Sequence, residues 1–228
     1  MTFLPYESRR KAGEILADFF KNNYSIEVNT TNSIVFTIPN GGVPVAEGFC
    51  KTLDIKYILL IVRKIKIPHN PEAGFGSITT DGTILLNKNL LSSIRLSSSA
   101  IERSIEITKA EIRDRSNFYN VSLIQEKLYN NNIPSKIVFI MDDGLASGYT
   151  MLAGIKMIRK YRPKKVIITV PTAPFHTIEN IEKEVDELVC PNNRKTSWFA
   201  VADAYKHWYD VQDSEVLNII NKSNYYLG

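Results

Sequence analysis

Two adjacent carboxylates, Asp142 and Asp143, follow an apolar run from Ile137 to Met141 and precede a short loop rich in small residues. The apolar run reads as a buried strand. A helical pattern begins near Thr150. A strand, an acid pair, a tight loop and a helix N-terminus together suit a sugar phosphate. Two carboxylates at the strand end accept hydrogen bonds from vicinal ribose hydroxyls. The backbone of Ala146, Ser147, Gly148, Tyr149 and Thr150, with the helix N-terminus, can hold a phosphate dianion. The hydroxyls of Ser147 and Thr150 can donate to the same oxygens.

Two further stretches have the composition of an anion site. Ile38 to Ala46 reads Ile-Pro-Asn-Gly-Gly-Val-Pro-Val-Ala, a glycine turn between a strand and a helix. Gly41 and Gly42 let the backbone approach a ligand closely, Asn40 stands beside them, and the helix N-terminus adds donors. Taken alone, this could equally be an ordinary strand-to-helix turn. Arg63 and Lys64 lie at the end of a second apolar strand. They could neutralise a departing anion or be solvated strand-end charges. The segment after them, Lys66 to Ser77, carries two prolines and two glycines, and its irregular pattern predicts a flexible loop able to close over a site.

These motifs resemble those of the type I phosphoribosyltransferases. That family carries an apolar strand, two acids and Thr-Gly-x-Thr after a short spacer. Here Ser147-Gly148-Tyr149-Thr150 takes the last place, with a serine hydroxyl for a threonine one. A stand-alone group within the family reads Pro-Arg-Gly-Gly-Val-Pro-Val-Ala at the turn and Val-Arg-Lys-Ile at the cationic pair. This chain matches both, except that Asn40 replaces the arginine. Arg9 and Arg10 fall at the basic position of that group's first helix, and Phe199 to Val201 and Val211 to Val216 resemble its closing segment. Between Ile112 and Asn120 the match is poor.

The resemblance implies an enzyme that binds phosphoribosyl pyrophosphate with magnesium and transfers ribose 5-phosphate to a small nitrogenous acceptor. Asp142 and Asp143 would be catalytic. Asn40, Gly41, Gly42, Arg63, Lys64 and Ala146 to Thr150 would bind substrate, and the magnesium would be held mostly by substrate oxygens and water, with no protein ligand assigned. The alternative is a binding protein that senses phosphoribosyl pyrophosphate without catalysis; Asn40 and Ala146 favour it, and the lack of a DNA-binding segment disfavours it. In 6-oxopurine enzymes of the family a third acid stands where this chain has Ala146. A proton-handling acid is therefore missing there, and the acceptor is left open. Trp198 and Phe199 could stack on an aromatic acceptor, although packing is the preferred reading.

Composition agrees with a globular enzyme. The 228 residues are 44% hydrophobic, enough for one core of ordinary size. A net charge of +4 without a dense basic run favours an anionic small molecule over nucleic acid. Cys50 and Cys190 are too few for a disulfide framework and each follows an apolar segment, which predicts buried thiols. The three histidines have no metal-ligand spacing. No signal segment and no membrane span is read, so a cytoplasmic location is expected, with a homodimer as the candidate assembly.

The elements that must position these groups alternate. Helices are predicted over Glu7–Asn23, Val43–Leu53, Ala100 to about Leu128 with a break near Asn117–Asn120, Tyr149–Tyr161, Phe175–Glu184 and Asp213–Asn221, the last capped by Asp213. Strands are predicted over Ser33–Pro39, Ile55–Val62, Lys136–Met141, Val166–Val170 and Glu187–Cys190. Ile78–Thr80 and Thr83–Leu86 form a hairpin across Asp81-Gly82. This order predicts an α/β fold: a parallel twisted sheet with helices on both faces, in one domain over 1–228. The family resemblance adds hood elements at about 87–130 and 191–228.

Overall fold

The computed structural model describes residues 4–121, 125–196 and 198–228. In chain order the elements begin with α1 (Arg9–Asn23), β1 (Ser33–Thr37), α2 (Gly42–Leu53), β2 (Tyr57–Leu59), β3 (Val62–Ile67), β4 (Asn70–Thr79) and β5 (Ile84–Leu86). There follow α3 (Lys88–Ile94), α4 (Ser98–Phe118), α5 (Gln125–Asn132), β6 (Ile137–Met141) and α6 (Tyr149–Lys160). The chain closes with β7 (Lys165–Thr169), β8 (Thr172–Pro174), α7 (Phe175–Ile181), β9 (Glu187–Val189), β10 (Asn192–Arg194) and α8 (Asp213–Lys222).

Five strands form the central sheet in the order β2-β1-β6-β7-β9, all parallel. β1 and β6 are buried along their whole length, β6 apolar throughout and β1 apolar from Ile34 to Phe36, as suits strands covered on both faces. One face packs Val35, Phe139 and Ile167 against Leu16 and Phe20 of α1, Val45 and Phe49 of α2, and Val216 and Ile220 of α8. The other packs Phe36, Ile140 and Ile168 against Tyr129 of α5, Ile155 and Ile158 of α6, and Ile178 and Ile181 of α7. From β1 the chain moves out to β2, then returns to place β6 on the other side of β1. The strand order therefore reverses between β1 and β6. Ligands of open α/β sheets sit at such a switch point, at the carboxyl ends of the strands.

Helix α1 reaches that edge because it crosses α2 without side chains between them. A Cβ at Gly13 would overlap the Val45 carbonyl oxygen, and one at Gly48 would overlap that of Arg10. Ser8 caps α1, its hydroxyl accepting from the Lys11 amide at 3.1 Å.

The segment Lys66–Ser77, expected to be irregular, is strand for most of its length. It lies in an antiparallel sheet of β3, β4 and β5. Its glycines serve strand contact rather than irregularity. A Cβ at Gly74 would overlap the Lys64 side chain, and one at Gly76 would sit 2.5 Å from the Leu85 carbonyl oxygen. The register shifts around Lys66, as a bulge requires. Pro68 and His69 make the turn, with His69 at φ 64. The hairpin across Asp81-Gly82 forms as expected, Gly82 at φ 79.

Other departures are local. The second predicted strand divides: β2 ends at Leu59, Leu60 bonds back to Thr37, and the chain turns into β3. Helix α3 was not expected; it has seven residues, none of them buried. The long helix breaks at Tyr119–Asn120, where Asn120 takes φ 57, and 122–124 of that prediction lie outside the described residues. Cys50 is buried, whereas Cys190 is only half-buried, and both are free. No described helix is long and apolar enough to cross a membrane.

Candidate active site

The pairing of β1 with β6 sets the site. Thr37 lies opposite Met141, and the Ile38 amide continues the ladder to the Met141 carbonyl at 2.9 Å. The Asn40–Gly42 turn and the Asp142–Thr150 loop therefore emerge side by side. Both glycines are required by this approach. A Cβ at Gly41 would overlap the Asp143 carboxylate, and one at Gly42 would lie 2.7 Å from Thr37 Oγ1 and 3.1 Å from Asp142 Cα. The Pro39–Asn40 peptide bond is cis.

Asp142 Oδ1 accepts from the Asp143 amide at 2.8 Å, which ties the first carboxylate to its own backbone. Asp143 Oδ2 accepts from Arg9 Nε at 2.8 Å, and both side chains are nearly buried, at 5% and 15% exposure. The Arg9 guanidinium lies 4.1 Å from the Trp208 ring centre and 5.4 Å from those of Tyr205 and Tyr209. Tyr205 donates to the Asp143 carbonyl at 2.6 Å. Burial raises the pKa of Asp142 well above the ordinary carboxylate range, and the neighbouring Asp143 charge adds to it. Burial also raises Asp143, but Arg9 pulls it back. The pair is thus asymmetric: the cation favours charge on Asp143, and Asp142 holds its proton more readily.

The loop after the acids is anchored from β8 and α7. Leu145 bonds to the Thr172 carbonyl at 3.0 Å, and Thr177 Oγ1 donates to the Ala146 carbonyl at 2.7 Å. Gly148 sits at φ 77 with Ile181 Cδ1 only 2.8 Å from where a Cβ would be, so a side chain would disrupt the turn into α6. Ser147 and Tyr149 are exposed and Thr150 is half-buried. The hydroxyls of Ser147 and Thr150 therefore flank the N-terminus of α6.

The sequence-selected groups do not all meet. Asn40, Gly41, Gly42, Asp142, Asp143 and the loop Ala146–Thr150 converge at the switch point. Arg63 and Lys64 lie on β3, in the second sheet. Arg63 faces Glu111 of α4 at 3.5 Å, and Lys66 lies 3.3 Å from the same carboxylate. Trp198 is 91% exposed, so the packing expected for it is not found, while Phe199 is half-buried.

Asp213 does not cap α8. Gln212 holds that position, and the Asp213 carboxylate turns to the site. Its Oδ1 accepts from Arg115 Nη2 at 2.6 Å, Asn40 Nδ2 at 2.8 Å and Tyr119 OH at 2.9 Å. Asn40 also donates to the Val211 carbonyl at 2.6 Å and accepts from Arg115. Burial would raise Asp213, but these hydrogen bonds and the Arg115 charge hold it below its ordinary value. Sequence reasoning named Asn40, Asp213 and Arg9 singly but did not join them to their partners, and it missed Arg115 and Tyr119. The signals available were Asn40 in place of the family's arginine, Arg9 at the basic position of the first helix, and the departure from the family pattern around Ile112–Asn120, where Arg115 and Tyr119 lie.

Comparison with known proteins identifies the family and the fold. Residues 6–209 match the model of the phosphoribosyl transferase domain, and the chain belongs to that family. The fold is that of the type I phosphoribosyltransferases. MT0597 and Rv0571c, from two strains of Mycobacterium tuberculosis and both provisionally named phosphoribosyl transferases, are each 29% identical over 193 residues. The match covers 84% of this chain and 42% of those proteins, so the chain spans less than half their length. The crystal structure of TT1426 from Thermus thermophilus superposes with a TM-score of 0.73 at 25% identity, covering 95% of this chain and 97% of that one.

Proposed function

We propose that the chain binds phosphoribosyl pyrophosphate with magnesium and transfers ribose 5-phosphate to a nitrogenous base, releasing pyrophosphate. One observation carries this reading: the acid pair at the end of β6 lies against the two-glycine turn at the end of β1, at the point where strand order reverses. In this reading the loop Ala146–Thr150 takes the 5′-phosphate, Asp142 and Asp143 accept from the ribose hydroxyls, and Gly41 and Gly42 bring backbone to the pyrophosphate. Arg63 and Lys64 approach from β3, Arg63 exchanging Glu111 for the pyrophosphate oxygens. The bond from C1′ to the pyrophosphate oxygen breaks, a bond from C1′ to the acceptor nitrogen forms, and the proton on that nitrogen passes to solvent. Positive charge grows on the ribose as the leaving group departs. Asp143, kept anionic by Arg9, stabilises it electrostatically, and the rest of the catalysis is positioning.

Magnesium fits this donor set. The site offers hard carboxylate oxygens, and among the described residues no group of three or more His, Cys, Asp or Glu forms a cage. An ion carried on pyrophosphate oxygens and water suits such a site. When bound it would neutralise the leaving group.

Hood elements over 87–130 and 191–228, together with a cytoplasmic setting, complete the proposal. The acceptor remains a class, because Ala146 offers no acid at its position. A pyrophosphate-release screen across purines, pyrimidines, nicotinate and related acids tests the reading. Release with one acceptor supports it. Silence across the panel with intact ligand binding would replace it with a sensor of phosphoribosyl pyrophosphate.

A further inference from the structure

The pyrophosphate end of this site needs cationic donors, and the turn at its centre, Pro39-Asn40-Gly41-Gly42, has none. Arg63 is occupied by Glu111 on α4. One helical turn further along α4, on the same face, Arg115 reaches the turn itself. Its Nη2 donates to Asn40 Oδ1, to Asp213 Oδ1 at 2.6 Å and to Tyr119 OH at 3.3 Å. Its side chain is 14% exposed, and its buried Nε has no hydrogen-bond partner. A guanidinium with five donors, three acceptors crowded on one nitrogen and Nε unused is incompletely satisfied. An unsatisfied buried donor costs free energy that a ligand can return. The counter-charge, Asp213, is 45% exposed and sits at the first residue of α8. It can therefore turn to water when an anion takes its place.

We infer that Arg115 is a pyrophosphate-binding residue, delivered from α4 to the Asn40 turn and held in the free protein by Asp213. The inference rests on the proposed phosphoribosyl pyrophosphate site and deepens it. Asn40 then has a defined part: its amide donates to Asp213 and its carbonyl oxygen accepts from Arg115, so it holds the pair in register beside Gly41. Glu111 and Arg115 place two of the cations of the pyrophosphate end, Arg63 and Arg115, under the control of one helix. Glu111 holds Arg63 back, and Arg115 is presented at the turn. The planar guanidinium matches two oxygens of a diphosphate at once.

Calorimetry on the full chain with magnesium tests this, using pyrophosphate, ribose 5-phosphate and phosphoribosyl pyrophosphate as separate probes. Arg115→Met should weaken pyrophosphate by about tenfold or more, the size of a lost charge-assisted pair, and leave ribose 5-phosphate within about twofold. Asp213→Asn keeps the guanidinium but removes its counter-charge, so it should tighten pyrophosphate with ribose 5-phosphate unchanged. Unaltered pyrophosphate affinity in Arg115→Met would overturn the inference, as would equal losses for both probes. If Arg115→Met does not fold, Asp213→Asn decides: unchanged or weaker pyrophosphate binding overturns it. A wild-type protein that binds none of the three probes would instead overturn the proposed function itself.

Discussion

Replacing Arg9 by methionine should destabilise the protein most where Asp143 must stay charged. The two side chains are 5% and 15% exposed, so the ion pair is largely desolvated. Removing one partner of a buried pair costs roughly 3–5 kcal/mol, because the other charge is stranded. Lost contact with the Trp208, Tyr205 and Tyr209 rings adds about 0.5–2 kcal/mol. A protein of this size loses about 2–4 °C in Tm per kcal/mol, so a fall of roughly 7–28 °C is expected. The loss should depend on pH with a fixed sign. Burial already raises the Asp143 pKa and Arg9 opposes this; without Arg9 it rises further. A raised folded-state pKa gives stability that is full below the ordinary carboxylate range and is lost as pH rises through the folded value. The penalty in Arg9→Met should therefore shrink in acid and grow towards neutral pH, and Arg9→Lys should recover part of it. Thermal unfolding of both variants across that range is the assay. A fall in Tm of less than about 2 °C that does not vary with pH would refute the claim that Arg9 holds the Asp143 charge.

Asp142→Asn should abolish phosphoribosyl pyrophosphate binding yet raise Tm at neutral pH. The raised pKa of Asp142 makes its ionisation destabilising there, and the gain should fade towards acid. Gly41→Ala drives a Cβ into the Asp143 carboxylate; ligand affinity in calorimetry should drop by about tenfold or more, while stability falls by the roughly 1–3 kcal/mol typical of overpacking. Gly13→Ala, far from the acids, pushes α1 off the Val45 carbonyl. It should weaken ligand binding by moving Arg9, and a crystal structure of the variant should show the Arg9–Asp143 distance lengthened.

What could be read from the sequence was whatever is local along the chain. The strand, the acid pair and the Ser147-Gly148-Tyr149-Thr150 loop are contiguous, so their apolar run and small residues announced both the elements and the edge of the sheet. The same local reading misjudged Lys66–Ser77. Glycines that permit close strand contact look, in one dimension, like glycines that permit disorder. Helix α3 has no buried residue to give it periodicity. The groups that complete the site are long-range. Arg9 and Asp143 are 134 residues apart, and Arg115 and Asp213 are 98 apart. No spacing rule reaches that far, and Asp213 looked like a helix cap because an acid at that place usually is one.

The most direct measurement is a calorimetric titration of the protein with phosphoribosyl pyrophosphate and magnesium, beside the Asp142→Asn and Asp143→Asn double variant. The account predicts one saturable site in the wild type and none in the variant, with the variant still cooperatively folded. No binding by the wild type, or equal binding by both, would contradict the assignment of the acid pair and, with it, the proposed reaction.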